Sequence, residues 1–354
     1  MSYQDTKTLA PFPNSKEVLR TFVDHVEADH DVSFASSEDG FQVIENAGVR
    51  VALRAQPIGL EIKLSGPNSA MFVFFKDAIF RHLADIDPTL AAQIRWSGET
   101  AIEGELPQNF RILRVVQKST PLSGMVRLTL SVSDEAFFEN PGLHLKMILP
   151  SVADRQPIWP RMGQNGAPVW PQGDDALHAR FLTIRAIRSE QNEIDLDVVC
   201  HGDGLISSWA MSASPGDEIG AMGPTDYESL PNVDRVFLAA DQTGLPLVAR
   251  FLENLPENVT GDVIGGAEDL NGLVQYLPET NLEITHIHPT EFSRRILQRT
   301  QKLAVSGCYR TAVFAGEFAD AQALRKVFKG TMGLGKGEQI SMPYWSKGKA
   351  GFKD

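Results

Sequence analysis

The sequence predicts a multidomain chain: a small α+β segment over residues 1–100, an antiparallel β-barrel over 106–230 and a doubly wound α/β segment over 231–354. Three observations carry this reading. Short strands followed by a helix fill the first hundred residues, closely spaced strands broken by Pro, Gly and Ser fill the middle, and strand and helix alternate in the last third. A chain of 354 residues also exceeds one ordinary core.

In the first segment, residues 18–26 have helical apolar spacing, while 41–44, 49–55 and 59–64 alternate like strands. Residues 72–86 repeat the helical spacing, and Asp87-Pro88 reads as the stop. Residues 98–108 are polar, acidic and glycine-bearing, the composition of a linker. Strands rich in Val, Leu and Ile follow at 111–118, 125–132 and 144–149. Between 150 and 180 lies a long stretch with Trp159 and Trp170, each next to prolines. Such a length is either functional or a surface excursion with its tryptophans tucked against the barrel. Pro215-Gly216-Asp217 and Gly223-Pro224 mark a hairpin and the barrel exit. In the third segment, strands at 236–240, 261–265, 282–288 and 312–315 alternate with helices at 245–255, 292–303 and 320–328. No GxGxxG follows the first of these strands, so the standard dinucleotide fingerprint is missing.

Composition removes several function classes. No apolar run reaches about 18 residues, so no spanning helix is expected. Met1-Ser2-Tyr3-Gln4-Asp5 lacks the basic-then-apolar order of a secretory signal, and a cytoplasmic location is expected. A net charge of −12 gives no basic field for nucleic acid. Cys200 and Cys308 alone build neither an iron–sulfur cluster nor a four-cysteine zinc site, and they suit a reducing compartment. His25 and His30 are five apart and share a helix face poorly, so packing or surface roles are expected. His286 and His288 share a strand face but show no third ligand, and no metal site is expected. Cys200 precedes His201, yet adjacent strand residues face opposite ways, so a buried cysteine is expected rather than a catalytic dyad.

The richest stretch is 180–224. It holds Arg180-Phe181-Leu182-Thr183, then His201-Gly202-Asp203-Gly204 and Ser207-Ser208-Trp209-Ala210. An arginine and a threonine are read as ending one strand, and a Gly-rich turn after the next strand opens a short helix. Helix N-terminal amides, serine hydroxyls and an arginine together suit a pyrophosphate. This order of parts resembles the flavin-binding half of the ferredoxin-reductase superfamily, and within it the siderophore-interacting protein family of FAD-dependent ferric-siderophore reductases.

The resemblance runs over residues 110–350 and implies roles residue by residue. Arg180 meets phosphate, and the Thr183 hydroxyl reaches the flavin N5 region. Leu182 stands where the family has an aromatic residue, forfeiting a stacking term of about 0.5–1.5 kcal/mol. Phe181, one position away, points to the other face of the strand, and Arg185 reads equally as an exposed strand cation. His201, Gly202, Gly204, Ser207 and Ser208 continue the family's phosphate turn, with Trp209 packing beside it. Taken alone, the serines read as a helix cap. Asp241-Gln242-Thr243-Gly244-Leu245-Pro246 resembles the family's Asp-Glu-Thr-Ala-Leu-Pro turn, where Asp241 and Thr243 face a nicotinamide cofactor or merely cap a helix. Gly316 and Glu317 match the family's Ala-Gly-Glu, the glycine admitting the nicotinamide and the acid orienting ligand or helix. On the substrate side, Lys146 of His144-Leu145-Lys146 and Lys347 of Tyr344-Trp345-Ser346-Lys347-Gly348 supply positive charge for an anionic chelate, with Tyr344 and Trp345 closing over the site. The plain reading of each lysine is a solvated surface charge. Thr225 stands where relatives often carry an arginine.

The implied activity is electron transfer from NADPH or NADH, or alternatively from ferredoxin, through FAD to a bound ferric siderophore. The middle segment becomes the FAD-binding barrel, and the last the NAD(P)H-binding domain with a C-terminal substrate-side segment. A monomer is expected, without membrane insertion or nucleic acid, and iron arrives inside its ligand. The rivals are a siderophore- or flavin-binding protein without turnover and a general flavin oxidoreductase. Residues 15–97 resemble the small accessory domain of uncharacterised function that precedes the reductase in some members, on the helix with His25 and His30, the strand pair and Ile94-Arg95-Trp96.

Overall fold

A computed structural model describes residues 4–30, 32–46, 48–67, 69–98, 103–134, 136–139, 142–152, 155–200, 202, 204–225, 230, 234–335 and 337–348. They pack as two compact units, one of residues 1–111, 148–178 and 220–227, the other of 112–147, 179–219 and 228–354. Among the described residues no helix is long and apolar enough to cross a membrane.

The N-terminal part is an α+β layer: β1 (Gln4–Ala10), α1 (Ser15–His30), β2 (Ala35–Ser36), β3 (Gln42–Asn46), β4 (Val49–Gln56), β5 (Gly59–Gly66), α2 (Ser69–Ile86) and α3 (Pro88–Ala91). Its sheet runs β1-β5-β4-β3-β2, antiparallel throughout. Leu60, Ile62 and Leu64 alternate into a core with Phe22, Phe72, Leu83 and Ile94. The edge strand β1 escaped the sequence reading because its inward positions are Thr6, Thr8 and Ala10, not large apolar residues. Asp87 ends α2 and also starts α3, its carboxylate accepting from the Thr89 and Leu90 amides at 2.9 and 3.0 Å.

Glu61 is the electrostatic anchor of this sheet. Burial opposes its charge, but Gln56, Arg54 and Lys63 outweigh that and hold its pKa down from 4.5 to about 2. The Arg54 and Gln56 bonds to Oε2 are 2.7 and 2.8 Å. A depressed carboxyl stabilises the fold above its unfolded pKa and loses that contribution as pH falls toward the folded value. The stability gap between the native chain and Glu61→Gln is therefore expected to be full at neutral pH and to close between about pH 4.5 and 2. Urea midpoints across that range check it, and a pH-independent gap contradicts it.

The middle part comprises β6 (Phe110–Leu122), β7 (Met125–Ser131), α4 (Ala136–Glu139), β8 (His144–Pro150), β9 (Arg161–Met162), β10 (Pro168–Val169), β11 (Leu177–Arg188), β12 (Glu193–Val199), α5 (Leu205–Ser212) and β13 (Glu218–Thr225). Six of these strands close a barrel in the order β11-β12-β7-β6-β13-β8. Within the long insert, β9 and β10 pair as a short hairpin, and Trp159 packs on Phe110 with ring centroids 5.2 Å apart. Arg180–Thr183 do not end a strand, as the sequence suggested, but lie inside the twelve-residue β11. Leu177–Arg188 lacks a glycine or proline that would have marked its true ends.

The last part alternates β14 (Arg235–Ala240), α6 (Leu245–Glu253), β15 (Thr260–Gly266), α7 (Leu270–Tyr276), β16 (Glu283–Ile287), α8 (Phe292–Ser306), β17 (Thr311–Glu317), α9 (Phe318–Gly330) and β18 (Gln339–Trp345). All five strands are parallel, in the order β16-β15-β14-β17-β18. β14 is apolar at every position from Val236 to Ala240 because both faces are covered. Val236, Leu238 and Ala240 enter one core, and Phe237 and Ala239 the other. The chain leaves β14 in one direction to β15 and β16, then returns to its other side with β17 and β18. That reversal puts a topological switch point between β14 and β17, the place where open α/β sheets bind ligands.

Candidate functional site

On the barrel side, the pleat of β8 and β11 puts alternate residues on one face. His144 and Lys146 on β8 and Thr183 on β11 are buried to 6, 9 and 3% exposure. The Tyr344 hydroxyl, at the end of β18, joins two of them: it lies 2.6 Å from His144 Nε2 and 3.0 Å from Thr183 Oγ1. The Tyr344 and His144 rings meet edge to face at 5.7 Å. Phe181, two residues before Thr183, carries Lys146 Nζ 4.6 Å from its ring centre, a cation–π contact. A solvated surface charge thus does not describe Lys146, whereas Lys347 is exposed. Phe181 and Lys146, expected on the cofactor and substrate sides respectively, form one contact. Arg180 bonds the Ala179 carbonyl at 2.6 Å, and Leu182 is half-buried.

Arg185 is not the exposed cation the sequence allowed. It is 8% exposed, donates to Glu253 Oε1 at 2.6 Å and lies over the Tyr276 ring. Its partners sit on α6 and α7, far along the chain, where no local pattern announces them.

At the switch point, Asp241 follows β14 and begins a 3-10 turn, Gln242–Gly244. Its Oδ1 accepts from Thr243 N at 2.8 Å and Thr243 Oγ1 at 2.5 Å, while its Oδ2 accepts from Trp345 Nε1 at 2.7 Å. Burial pushes the Asp241 carboxyl above its ordinary range, against those hydrogen bonds. Gly316, at the end of β17, leaves the room: a Cβ there would lie 2.6 Å from Asp241 Oδ2. Glu317 caps α9, accepting from Ala319 N at 2.5 Å and Asp320 N at 3.2 Å, and its Oε1 accepts from Lys347 N at 3.1 Å. Asp320 is raised too, by burial and by the charges of Glu317 and Asp241, although a bond from Ser293 pulls it down. Tyr344 and Trp345 therefore leave β18 in opposite directions, one to the barrel residues and one to the switch point.

The α5 residues form a second group. Gly202 has φ +49, and Gly204 is an N-cap with no side-chain hydrogen bond. Ser207 is buried and donates to the Gly204 carbonyl at 2.9 Å, so its hydroxyl turns back into the helix and Ser208 is the exposed one. The serine cap expected from sequence is replaced by this back-bond. Trp209 is half-buried. His201 and Asp203 lie outside the described residues.

The sequence marks His144 only by its alternation with Lys146 along one strand, which assigns it no role. Two smaller expectations change. His288 lies past the end of β16, bonded to Glu268 at 2.8 Å, and does not share a strand face with His286. Cys200 is half-buried, not buried, and desolvation raises its thiol pKa.

Comparison with known proteins matches these parts. The model of the siderophore-interacting FAD-binding domain matches residues 114–227, and that of the siderophore-interacting protein matches 233–348. Ferric vibriobactin reductase ViuB of Vibrio cholerae is 26% identical over 247 residues, covering 68% of this chain and 90% of that protein. The NADPH-dependent ferric-chelate reductase of Escherichia coli is 28% identical over 149 residues, 41% of this chain and 57% of that protein. The siderophore-interacting protein SipS from Aeromonas hydrophila superposes with a TM-score of 0.56 at 22% identity, covering 68% of this chain and 93% of its own. A siderophore utilization protein from T. fusca gives 0.55 at 24%, covering 72% and 98%. With one model on the barrel and the other on the parallel sheet, the chain belongs to the siderophore-interacting protein family.

Proposed function

We propose that this protein reduces ferric siderophores, with FAD as its cofactor and NAD(P)H as the electron donor, releasing iron as Fe(II). The observation that carries the reading is the convergence, through Tyr344 and Trp345, of the barrel residues His144 and Thr183 with the switch-point residues Asp241 and Gly316. A bound flavin supplies the conversion of a two-electron hydride into single electrons for iron. The residues present fit it. The α5 start, where the N-cap is Gly204 and brings no side chain to the first amides, together with Gly202 and the exposed Ser208, suits a pyrophosphate. Thr183 and the Phe181 face of β11 would border the ring, and Arg180 would meet phosphate.

Asp241 and Thr243 hold the turn at the switch point, and Gly316, with no Cβ to crowd the Asp241 carboxylate, lets that turn border the crevice a nicotinamide would enter. Lys146, fixed over Phe181, and Lys347, exposed beyond Trp345, give the positive charge an anionic ferric chelate needs. Fe(III) is the harder ion and binds oxygen donors more tightly than Fe(II), so one electron loosens the chelate.

An absorption spectrum before and after anaerobic NADPH tests the reading: flavin bands that bleach support it. Bands that persist favour a binding role or ferredoxin, and a colourless protein that rejects FAD overturns it. Losing a charge-assisted hydrogen bond costs about 1.5–3 kcal/mol. Lys146→Ala and Lys347→Ala are therefore each expected to raise KM for an anionic ferric chelate about tenfold or more, with KM for the nicotinamide unchanged. Unchanged chelate KM values remove the lysines from the site.

A further inference from the structure

We propose that the N-terminal part binds one divalent transition-metal ion between α1 and α2, through His25, His82 and Asp85. The family models begin at residue 114, so neither covers this segment. His25 stands on α1, and His82 and Asp85 on α2. One nitrogen of each imidazole and one carboxylate oxygen of Asp85 all lie within 4.8 Å of one another. The two imidazoles meet at 5.0 Å between centroids, inclined at 72°.

The placement follows from helix geometry. His82 and Asp85 are three apart, so they project from one face of α2 and form one edge of the cluster. His25 is delivered from the helix packed against it, and Phe22, one turn earlier on α1, sets its ring edge-on to His82 at 5.8 Å and 85°. Phe22 itself is 3% exposed and fixed in the core, so it forms a rigid apolar wall behind His82. His25 and Asp85 are exposed and face water. The cluster thus has a supported side and an entry side.

Metal bonds of about 2.0–2.2 Å place tetrahedral ligand atoms about 3.3 Å apart. Closing from at most 4.8 Å needs movements of about 1.5 Å or less, within rotamer adjustment of the two exposed side chains. Two imidazoles and a carboxylate are borderline ligands. They suit zinc, iron(II), cobalt or nickel rather than magnesium or calcium, which take oxygen, or copper(I), which takes sulfur. Three protein ligands leave a coordination position for water, the form of an exchangeable or reactive site rather than a closed structural one. The histidine pair weighed from sequence, His25 with His30, is replaced by a pair across two helices.

The experiment is a calorimetric titration of the tag-free, chelator-stripped full chain with Zn2+, with Mg2+ as the oxygen-seeking control. One Zn2+ per chain is expected, with no Mg2+ uptake. His25→Ala and Asp85→Asn should each weaken Zn2+ binding by at least about tenfold, while His288→Ala, at a surface His–Glu pair elsewhere, leaves it unchanged. Both substituted ligands are exposed, so neither change opens the core, and unchanged circular dichroism verifies folding. No saturable Zn2+ binding, or binding equally tight in His25→Ala and Asp85→Asn, overturns the proposal. So does binding lost only in His288→Ala. None of these readouts depends on flavin content, so the proposal stands or falls apart from the reductase reading.

Discussion

Replacing Asp197 by alanine is expected to destabilise the unit that contains it by about 3–5 kcal/mol, the cost of breaking an ion pair whose carboxylate is fully buried. The Asp197 side chain on β12 is fully buried and accepts Arg127 Nε and Nη2 from β7, both at 2.7 Å. The Tyr276 hydroxyl of α7 donates to the same Oδ2 at 2.7 Å. Burial, then the adjacent carboxylate, drives the Tyr276 pKa well above its ordinary value, so the phenol remains a donor at any working pH. One carboxylate therefore ties two barrel strands to a helix of the parallel-sheet domain. Alanine leaves a guanidinium and a hydroxyl without their acceptor. Asp197→Asn keeps the shape and one carbonyl acceptor, and is expected to cost about 1–3 kcal/mol. Urea denaturation followed by tryptophan fluorescence separates the two. Equal, small losses in both variants would mean that Arg127 finds water instead.

The parts of the fold that were legible in the sequence are those whose energetics are local. Residues 72–86 show helical spacing because one face of α2 meets the core through Phe72, Phe75, Ile79 and Leu83. The run at 236–240 reads as a strand buried on both sides because its odd and even residues enter separate cores. What stayed hidden is long-range or polar. β1 buries threonines, and β18 carries Ser341 and Pro343 between its apolar residues. Tyr344 reaches Thr183 across 161 positions, and Arg185 reaches Glu253 across 68. No spacing rule couples such residues. The family resemblance supplied Thr183, Tyr344, Asp241 and Gly316 singly, and only the structure shows that β18 joins them. The Leu182 departure also looks different in space. The aromatic residue that β11 offers beside Thr183 is Phe181, on the face that carries Lys146.

On the proposed function, Gly316→Ala is expected to slow nicotinamide-driven reduction by about a hundredfold, the cost of a misplacement near 1 Å. The added Cβ would lie 2.6 Å from Asp241 Oδ2, 2.8 Å from its Cγ and 3.0 Å from the Phe314 ring. None of these can yield cheaply. Phe314 is fully buried, and Oδ2 is the oxygen that receives the Trp345 indole at 2.7 Å. The carboxylate must therefore swing, which releases Trp345, or β17 must shift at the switch point. Overpacking of this kind costs about 1–3 kcal/mol of stability, too little to unfold a typical domain. Trp345→Phe isolates one component, because it keeps an aromatic side chain and removes only the donor to Asp241. Stopped-flow reduction by NADPH measures the first loss, and photochemical reduction of the same protein bypasses the nicotinamide. Gly316→Ala should impair the former and spare the latter, since the atoms nearest the added methyl group belong to Asp241 and Phe314, not to α5 or β11. If both fall together, the glycine serves the fold of β17 rather than donor binding. If neither falls, the crevice between β14 and β17 is not where the donor sits, and the reading of Asp241, Thr243 and Gly316 fails with it.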